Sequence, residues 1–343
     1  MADMNVFTGS PYEMTTMTEA FRDSEYLPQR LGEFFEEKSV TTKDVTIEKK
    51  GKVLHLIPTS ERGAPLDEFT GEKREFRVFQ TARLAKGSTI TATEIANIRA
   101  FGTSSELEQI ENKVAERVMD LDDDLELSFE RMRLGAVQGL FVDPKTGETI
   151  YNWFTELGVS QPTEINFDLD NASPAEGALV KVCNEMTRAI LKASAGATTP
   201  QTRIKGLVSP EFWDSLTAHK EVRETYKNWM QAESLRGEMQ KPYSSLTFGG
   251  IDWEEYRGTD DNTKVAIAAN KAIFFPVGVK GNLVHTSSPS DEHMEFVNTP
   301  GQRKYTLLEI DPSTNKKWVR PEIYAYPLFY VTRPLTLRRG KKA

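Results

Sequence analysis

The chain has 343 residues, of which 38% are hydrophobic, and this is enough for one large or two intermediate folding units. Its formal net charge of -8 disfavours a dedicated nucleic-acid-binding protein, because such proteins normally carry a basic face. No apolar run approaches the roughly 18 residues of a membrane-spanning helix, residues 1–40 lack a secretory signal, and the single Cys183 excludes an intramolecular disulfide, so we expect a soluble protein that is intracellular when made.

The first 43 residues contain too few apolar side chains to form a core. A polar segment rich in threonine and methionine leads into two short helical patterns, at 17–21 and 26–35. We expect this segment either to be disordered or to lie on a larger surface.

A two-stranded ribbon is predicted from Asp44 onward. Residues 45–57 have the composition of strands around a lysine-rich turn, and 76–84 form the return strand. Between them, residues 61–73 contain glycine, proline and charged side chains, which predict a turn-rich tip. An isolated ribbon is marginally stable in water, so we expect this one to gain stability from a partner surface. A short helix over 93–99 follows.

The longest pattern runs from Thr103 to Gly139 and predicts a single helix. Capping boxes open it at Thr103 and Ser105, and Gly139 can take the left-handed closing position. Its central part, 106–138, is about 50 Å long at about 1.5 Å per residue. Ten acidic residues against four basic ones between 106 and 133 predict a solvated acidic face. The predicted apolar stripe consists of Leu107, Ile110, Val114, Val118, Leu121, Leu125, Phe129, Met132 and Ala136.

Helices and strands alternate after the long helix and indicate an α+β or α/β subdomain. Turn residues predict a hairpin over 140–154, and the aromatic segment 318–332 is typical of β structure, in which Pro321 and Pro327 imply an edge or a bulge. We expect the stripe of the long helix to pack on a sheet made by these two segments. The other predicted elements are helices at 173–193 with a cap at Ser173, at 210–218 and at 222–235, strands at 206–208, 246–256, 265–267, 272–276 and 282–284, and a basic tail from Arg333 onward.

No pattern in the sequence predicts a catalytic, cofactor-binding or metal site. Phosphate loops, dinucleotide fingerprints, zinc-protease motifs and serine-hydrolase motifs are missing. The three aspartates 122–124 point in directions about 100° apart on a helix, so they cannot converge on one ion. A metal or acid–base role for His285 and His293, in a polar loop with acidic neighbours, is an alternative without a third ligand at fixed spacing. The sequence therefore indicates a protein that acts through its surfaces.

Four stretches occur in a fixed order along almost the whole chain. They are Leu31-Gly32-Glu33-Phe34-Phe35 followed by Thr41-Thr42-Lys43-Asp44-Val45, then Ile57-Pro58-Thr59-Ser60 leading to Phe69-Thr70, then the acidic long helix, then Pro210-Glu211-Phe212-Trp213 running into Val222-Arg223-Glu224. In this order they resemble the arm-to-loop junction, extended loop, spine helix and axial-lobe helix pair of tailed-phage major capsid proteins. The resemblance is to the lambda-like major capsid protein E family in particular.

The resemblance implies an α+β fold of the Hong Kong ninety-seven capsid type. It places an N-terminal arm at 1–43, an extended β-ribbon loop at 44–91, and a peripheral domain at 92–172 and 301–343 with a spine helix at 105–139. It places an α/β axial domain at 173–300. In this fold the arm and the loop reach neighbouring subunits, which agrees with the segments that lack a core of their own.

The implied function is that of a major capsid protein, which is not an enzyme and has no cofactor. It would assemble as hexamers and pentamers into an icosahedral shell around double-stranded DNA bound without sequence specificity. Portal, scaffolding and decoration proteins are the other implied partners, a membrane is not, and the implied locations are the virion capsid and the host cytoplasm during assembly. An encapsulin-like compartment or another scaffold of the same fold, and a metal-dependent hydrolase, are the alternatives.

Candidate contact residues between subunits follow from the same resemblance. A covalent lysine–asparagine link, from Lys73 or Lys86 to Asn298 or Asn315, has no identifying motif in the sequence. The expected contact residues are Arg62, Leu66, Asp67, Glu68, Phe69, Glu72, Lys73, Phe34, Phe35, Arg338 and Arg339.

Overall fold

The computed structural model describes residues 26–50, 74–96, 106–171, 173–194, 196–225, 245–259, 264–313 and 317–343. The α-helices with bounds inside these ranges are α1 Ala92–Ala96, α2 Glu106–Ala136, α3 Trp153–Glu156, α4 Ala178–Ala193 and α5 Pro210–Ala218. Residues 220–225 are also helical, which confirms the described part of the helix predicted at 222–235. The strands are β1 Glu36–Ser39, β2 Asp44–Lys50, β3 Arg74–Gln80, β4 Leu84–Gly87, β5 Ile90–Thr91, β6 Leu140–Val142, β7 Thr149–Asn152, β8 Ile165–Asn166, β9 Arg203–Val208, β10 Ser245–Phe248, β11 Ile251–Glu255, β12 Lys271–Val277, β13 Leu283–Ser287, β14 Tyr305–Ile310, β15 Trp318–Ala325, β16 Pro327–Val331 and β17 Arg338–Lys341.

Five sheets divide these strands. The largest has the order β10-β11-β9-β12-β17-β8 and mixes parallel with antiparallel pairs. A second has the order β1-β13-β16, and a third has the order β14-β15-β4, with β5 pairing further along β15. The ribbon β2-β3 and the hairpin β6-β7 are separate two-stranded sheets. This mixture of helices with mixed sheets confirms the predicted α+β class.

Helix α2 crosses the molecule and packs against β15, β6 and β16. Its residues are mostly good helix formers, with no glycine before Gly135. Every stripe residue from Val114 to Ala136 is buried, which confirms the predicted stripe over that range. Gly139 follows the helix with φ of +85°, as predicted for its closing turn. The stripe does not meet one shared sheet as predicted, because β6, β15 and β16 belong to three different sheets.

Two apolar clusters form most of the interior. The larger joins α2 to the hairpin, the three-stranded sheet and one face of the six-stranded sheet, with Phe129, Phe141, Trp153 and Phe329 among its fully buried residues. The second lies on the other face of the six-stranded sheet, beneath α4 and α5. Cys183 belongs to this second cluster, where burial raises its pKa to about 12 and keeps it a protonated, apolar filler.

Several predicted elements differ from the observed ones. Helix α4 begins at Ala178, not at Ser173, because Gly177 has φ of +77° and starts the helix from a left-handed turn. The strand predicted over 246–256 is a hairpin, since Gly249 and Gly250 both have positive φ and reverse the chain. The strand predicted at 265–267 is absent from that described range, and the helix predicted at 26–35 is reduced to one 3-10 turn, Gly32–Phe34.

The proline and tail predictions are partly wrong. Pro327 begins the edge strand β16, as predicted. Pro321 lies instead in the central strand β15. On the side of β4 and β5 it falls in the gap between these two strands, so the N–H that proline lacks has no regular strand partner there. The predicted basic tail is the strand β17, which pairs with β12 and β8 inside the six-stranded sheet. Residues 165–166 and 338–341 thereby join the sheet of the lobe expected at 173–300.

Candidate assembly interfaces

The ribbon β2-β3 has two unlike faces. Val45 and Phe79 are a cross-strand pair on its inner face, and the Phe79 ring packs at 5.3 Å from Tyr151 and 5.1 Å from Trp153. This contact fixes the base of the ribbon to the hairpin. On the opposite face, Phe76 and Val78 are 62% and 61% exposed, beside Glu48 and Thr46 of β2. The ribbon therefore offers an apolar face that its own subunit does not cover.

All seven candidate contact residues of the loop tip, from Arg62 to Lys73, lie outside the described residues. Phe34 and Phe35 pack within their own subunit, edge-on against Phe275 at 5.3 Å and Phe329 at 5.7 Å. Arg338 and Arg339 lie in β17, where Arg338 donates hydrogen bonds to backbone carbonyls. An inter-subunit role for all eleven residues stays a prediction. Sequence reasoning overlooked Phe76 and Val78 as contact residues, although apolar side chains on both faces of one strand are visible in Arg-Glu-Phe-Arg-Val-Phe-Gln.

The N-terminal segment is attached to the subunit from residue 26 onward. Strand β1 pairs in parallel with β13, and Leu31 is fully buried in the larger cluster. The Leu31 amide donates to Glu130 Oε1 at 2.9 Å, and Arg30 Nη2 donates to Glu254 Oε2 at 2.8 Å. Part of the predicted arm is thus integral to the subunit that it belongs to.

A buried ionic cluster lies at the C-terminal half of α2. Glu130 and Arg133 are 0% and 2% exposed and pair at 3.3 Å, while Arg303 donates to Glu126 at 2.6 Å and 2.7 Å. Burial raises the pKa of Glu130, although hydrogen bonds from Leu31, Arg133 and the Tyr256 hydroxyl oppose that rise. The prediction of a wholly solvated acidic face is therefore wrong for this half of the helix. In the sequence, the burial of these charged residues is indicated only weakly, by the position of residues 126, 130 and 133 directly after residues of the apolar stripe.

The outer acidic residues of α2 have partners in their own subunit. Lys304 donates to Asp122 Oδ1 at 2.6 Å, and Lys86 pairs with Asp124. Both pairs are partly exposed, and such pairs stabilise a fold by only about 0–1 kcal/mol. The two lysines nevertheless neutralise part of the negative charge on the surface of the helix.

The two histidines considered for catalysis do not share a loop. His285 lies in β13, stacked on Phe329 with ring centroids 4.3 Å apart, and burial together with Arg133 and Arg303 lowers its pKa to about 3. His293 lies beyond this strand and its Nδ1 is 2.9 Å from the Ser290 hydroxyl. Over the described ranges, no three His, Cys, Asp or Glu side chains form a group able to hold a metal ion.

The loop from Ser288 to Gly301 is held against the base of the ribbon. Glu292 pairs with Arg83 and accepts a hydrogen bond from the Tyr326 hydroxyl at 3.1 Å, while Asp291 pairs with Lys43. Met294, in the same loop, is 93% exposed. The ion pairs with Arg83 and Lys43 therefore hold the loop that carries this exposed side chain.

The chain is similar to known phage capsid proteins both in sequence and in structure. The family model for phage major capsid protein E matches residues 13–342. The major capsid protein of Pseudomonas phage KPP10 is 28% identical over 301 residues, covering 83% of this chain and 84% of that protein. The major capsid protein of Salmonella phage Felix O1 is 24% identical over 275 residues, covering 73% of each. The capsid structure of Cyanophage P-SCSP1u superposes with a TM-score of 0.55 at 10% identity, covering 95% of this chain and 91% of that chain, and so shows the same fold.

The match to the family model extends over nearly the whole chain, and the superposed capsid shows that the fold is of the Hong Kong ninety-seven type. Among the helices that the structure describes, none is both long and apolar enough to cross a bilayer. The buried stripe of α2, the two-faced ribbon and the mixed sheets are the parts of that fold in this molecule. The chain belongs to the phage major capsid protein E family and is a major capsid protein, which assembles with copies of itself into the icosahedral shell of a phage virion.

Proposed function

We propose that the ribbon and the N-terminal arm make the principal contacts between subunits, and that the shell so formed encloses double-stranded DNA. The single observation that carries the first part is the exposed pair Phe76 and Val78 on the outer face of β3. A paired, anchored ribbon with an uncovered apolar face is suited to a second copy of the chain. Hexamers and pentamers, portal, scaffolding and decoration proteins complete the proposed assembly.

The strength of one such contact suits a shell. Burying a Phe or Val side chain completely stabilises by about 1.5–3 kcal/mol, and these two side chains still have more than half of their surface to bury. A contact worth about 2–4 kcal/mol is weak and reversible by itself. Because each subunit both gives and receives one, many weak contacts act together once a ring closes. Reversible single contacts also let misplaced subunits leave.

A formal net charge of -8 supports an enclosing role toward DNA instead of a tight binding role. An acidic subunit does not neutralise phosphates over a large area, so DNA would be retained by the closed wall. We further propose that the subunit has no catalytic activity and that it assembles in the host cytoplasm. The packing of the buried His285 on Phe329 and the pairing of Glu126 with Arg303 support the first of these statements.

The ribbon contact is tested with Phe76→Ser combined with Val78→Ser. Both positions are exposed in the subunit, so the variant should fold with unchanged circular dichroism and unfolding midpoint. It should remain unassembled in sedimentation velocity and electron microscopy, under conditions in which the unaltered chain forms shells. Ile150→Ser, which removes a 44% exposed apolar side chain of β7, is the matched control and should assemble. Shells from the double variant at the yield of the unaltered chain would contradict the proposal.

The contents of the shell are tested separately. Particles made during phage production should hold nuclease-protected double-stranded DNA. Particles that hold a defined enzyme and no DNA would instead favour the compartment of the same fold considered at the outset. Mass spectrometry of proteins and quantification of nucleic acid in the same preparation distinguish the two.

A further inference from the structure

Residues 26–35 form a strap that contacts two parts of the subunit. On one side is α2, through Glu130, and on the other is the six-stranded sheet, through Glu254 of β11. In the described ranges the strap belongs to no sheet. Its amides at Gly32 and Phe34 bond back within the strap itself.

The grip at Glu130 joins three chain segments at one carboxylate. Its Oε1 accepts from the Leu31 amide and from the Tyr256 hydroxyl, both at 2.9 Å, while Oε2 accepts from Arg133 at 3.3 Å. Tyr256 directly follows β11, so this carboxylate connects strap, helix and sheet. Glu126 of α2 and Arg303, from the segment before β14, also face this cluster, and the charges of Arg133 and Arg303 act on His285 of β13.

The grip at Glu254 is a second buried carboxylate. It is 3% exposed and pairs both with Arg30 of the strap and with Lys205 of β9. Burial alone would raise its pKa, but the hydrogen bonds from Arg30 and Lys205 outweigh burial and lower it. This group is therefore ionised near neutral pH, and it holds Arg30 by charge.

The segment that follows the strap, residues 36–40, is firmly attached to the rest of the subunit. Strand β1 pairs with β13 over all four of its residues, and the Glu36 carboxylate accepts from the Gly281 amide at 2.8 Å. Val40 adds two backbone hydrogen bonds, to Ser287 at 3.0 Å and from Gly301 at 2.9 Å. Before residue 36 the chain is held by the two carboxylates and by the core packing of Leu31, Phe34 and Phe35, and from residue 36 onward it is held by a backbone ladder.

We propose that residues 26–35 form a hinged strap which opens as a unit at Glu130 and Glu254, while the helix, the sheets and strand β1 remain folded. The proposal concerns a movement within one subunit, so it goes beyond the contacts between subunits proposed above. Opening gives the subunit a second shape, in which the N-terminal segment leaves in another direction. It also separates the six-stranded sheet from one of its ties to α2.

Two physical terms make this opening easier than global unfolding. Ten residues lose backbone freedom when the strap closes, and that entropy offsets much of the gain from burying Leu31 and Phe35. The grips themselves are buried charges, whose desolvation opposes their mutual attraction. Segments in which such costs offset the gain from burial open locally, ahead of the core.

Hydrogen exchange measured by mass spectrometry on the unassembled full-length subunit tests the strap. The hydrogen-bonded amides of the strap, those of Leu31, Gly32, Phe34 and Phe35, should exchange faster than the amides of β9 and β12, because the strap opens by itself. Glu130→Gln weakens a charge-assisted grip and should accelerate strap exchange by about 10- to 100-fold, with β9 and β12 unchanged. Glu33→Gln is the matched control, because Glu33 is the exposed partner of Arg30, and it should change strap exchange by less than about 3-fold.

Two outcomes would overturn the proposal. One is exchange of 27–35 at the rate of β12 in every protein, since the strap would then open only with the whole fold. The other is an effect of Glu33→Gln as large as that of Glu130→Gln. If Glu130→Gln does not fold, Glu254→Gln decides the matter through the second grip, with faster exchange of the hydrogen-bonded amides within 31–35 supporting the strap and unchanged exchange refuting it.

Discussion

Replacing Gly139 by alanine tests whether the turn after α2 fixes the hairpin. Gly139 has φ of +85°, and a Cβ built there would lie 2.2 Å from Cε2 of Phe154 and 2.9 Å from its Cδ2 and Cζ. The left-handed conformation costs a residue with a Cβ about 1–2 kcal/mol. Moving a buried ring in a packed core costs about 1–3 kcal/mol more. Gly139→Ala should therefore lower the free energy of unfolding by about 2–5 kcal/mol.

Gly158→Ala separates the two parts of this estimate. Gly158 also has positive φ, +63°, but nothing lies within 4 Å of a Cβ built there, so only the conformational cost of about 1–2 kcal/mol applies. Denaturant unfolding of the unassembled subunit measures both variants. Equal losses for the two would refute the steric argument, and a smaller loss for Gly139→Ala would refute the whole account of this turn.

Three further predictions concern α2 and its surroundings. The pKa of His285 is lowered from 6.5 to about 3, so the stability that neutral His285 contributes is present above pH 6.5 and is lost as the pH falls toward 3; denaturant midpoints over this range should fall less steeply for His285→Gln. Phe129→Ala should cost about 3–5 kcal/mol in the same assay, because the residue is fully buried, and a loss below about 1 kcal/mol would count against its place in the core. Leu121→Pro should yield insoluble protein, since proline breaks the middle of the helix, whereas deletion of 61–73 should leave soluble subunits that fail to close; the same insoluble product from both would show that the two segments do not have separate roles.

Periodic features could be predicted from the sequence because they are local. The stripe of α2 repeats at helical spacing, so its burial from Val114 to Ala136 follows from the order of residues. Gly139 was equally accessible, since a glycine after a long helix commonly takes the left-handed position. The start of α5 is also determined locally. Pro210 occupies its first turn, and the Ser209 hydroxyl before it accepts a hydrogen bond from the Phe212 amide.

Features that depend on distant partners could not be predicted in this way. Glu130 looks like one more exposed acid of α2 until Leu31, Tyr256 and Arg133 surround it. Residues 26–35 have helical spacing, yet the burial of Leu31 and its bond to Glu130 hold them extended around one 3-10 turn. The outer face of β3 was missed for a related reason, because the side that stays uncovered is decided by the hairpin on which Phe79 packs.

The position of β17 makes the six-stranded sheet depend on the last of its strands to be synthesised. Strands β9, β11 and β12 leave the ribosome well before residues 338–341, so one edge of β12 has no neighbour until the last strand of the sheet arrives. An unpaired edge invites pairing with other chains and is a target for chaperones. A subunit that lacks β17 exposes this edge of β12, and pairing of β17 as far as Lys341 covers it.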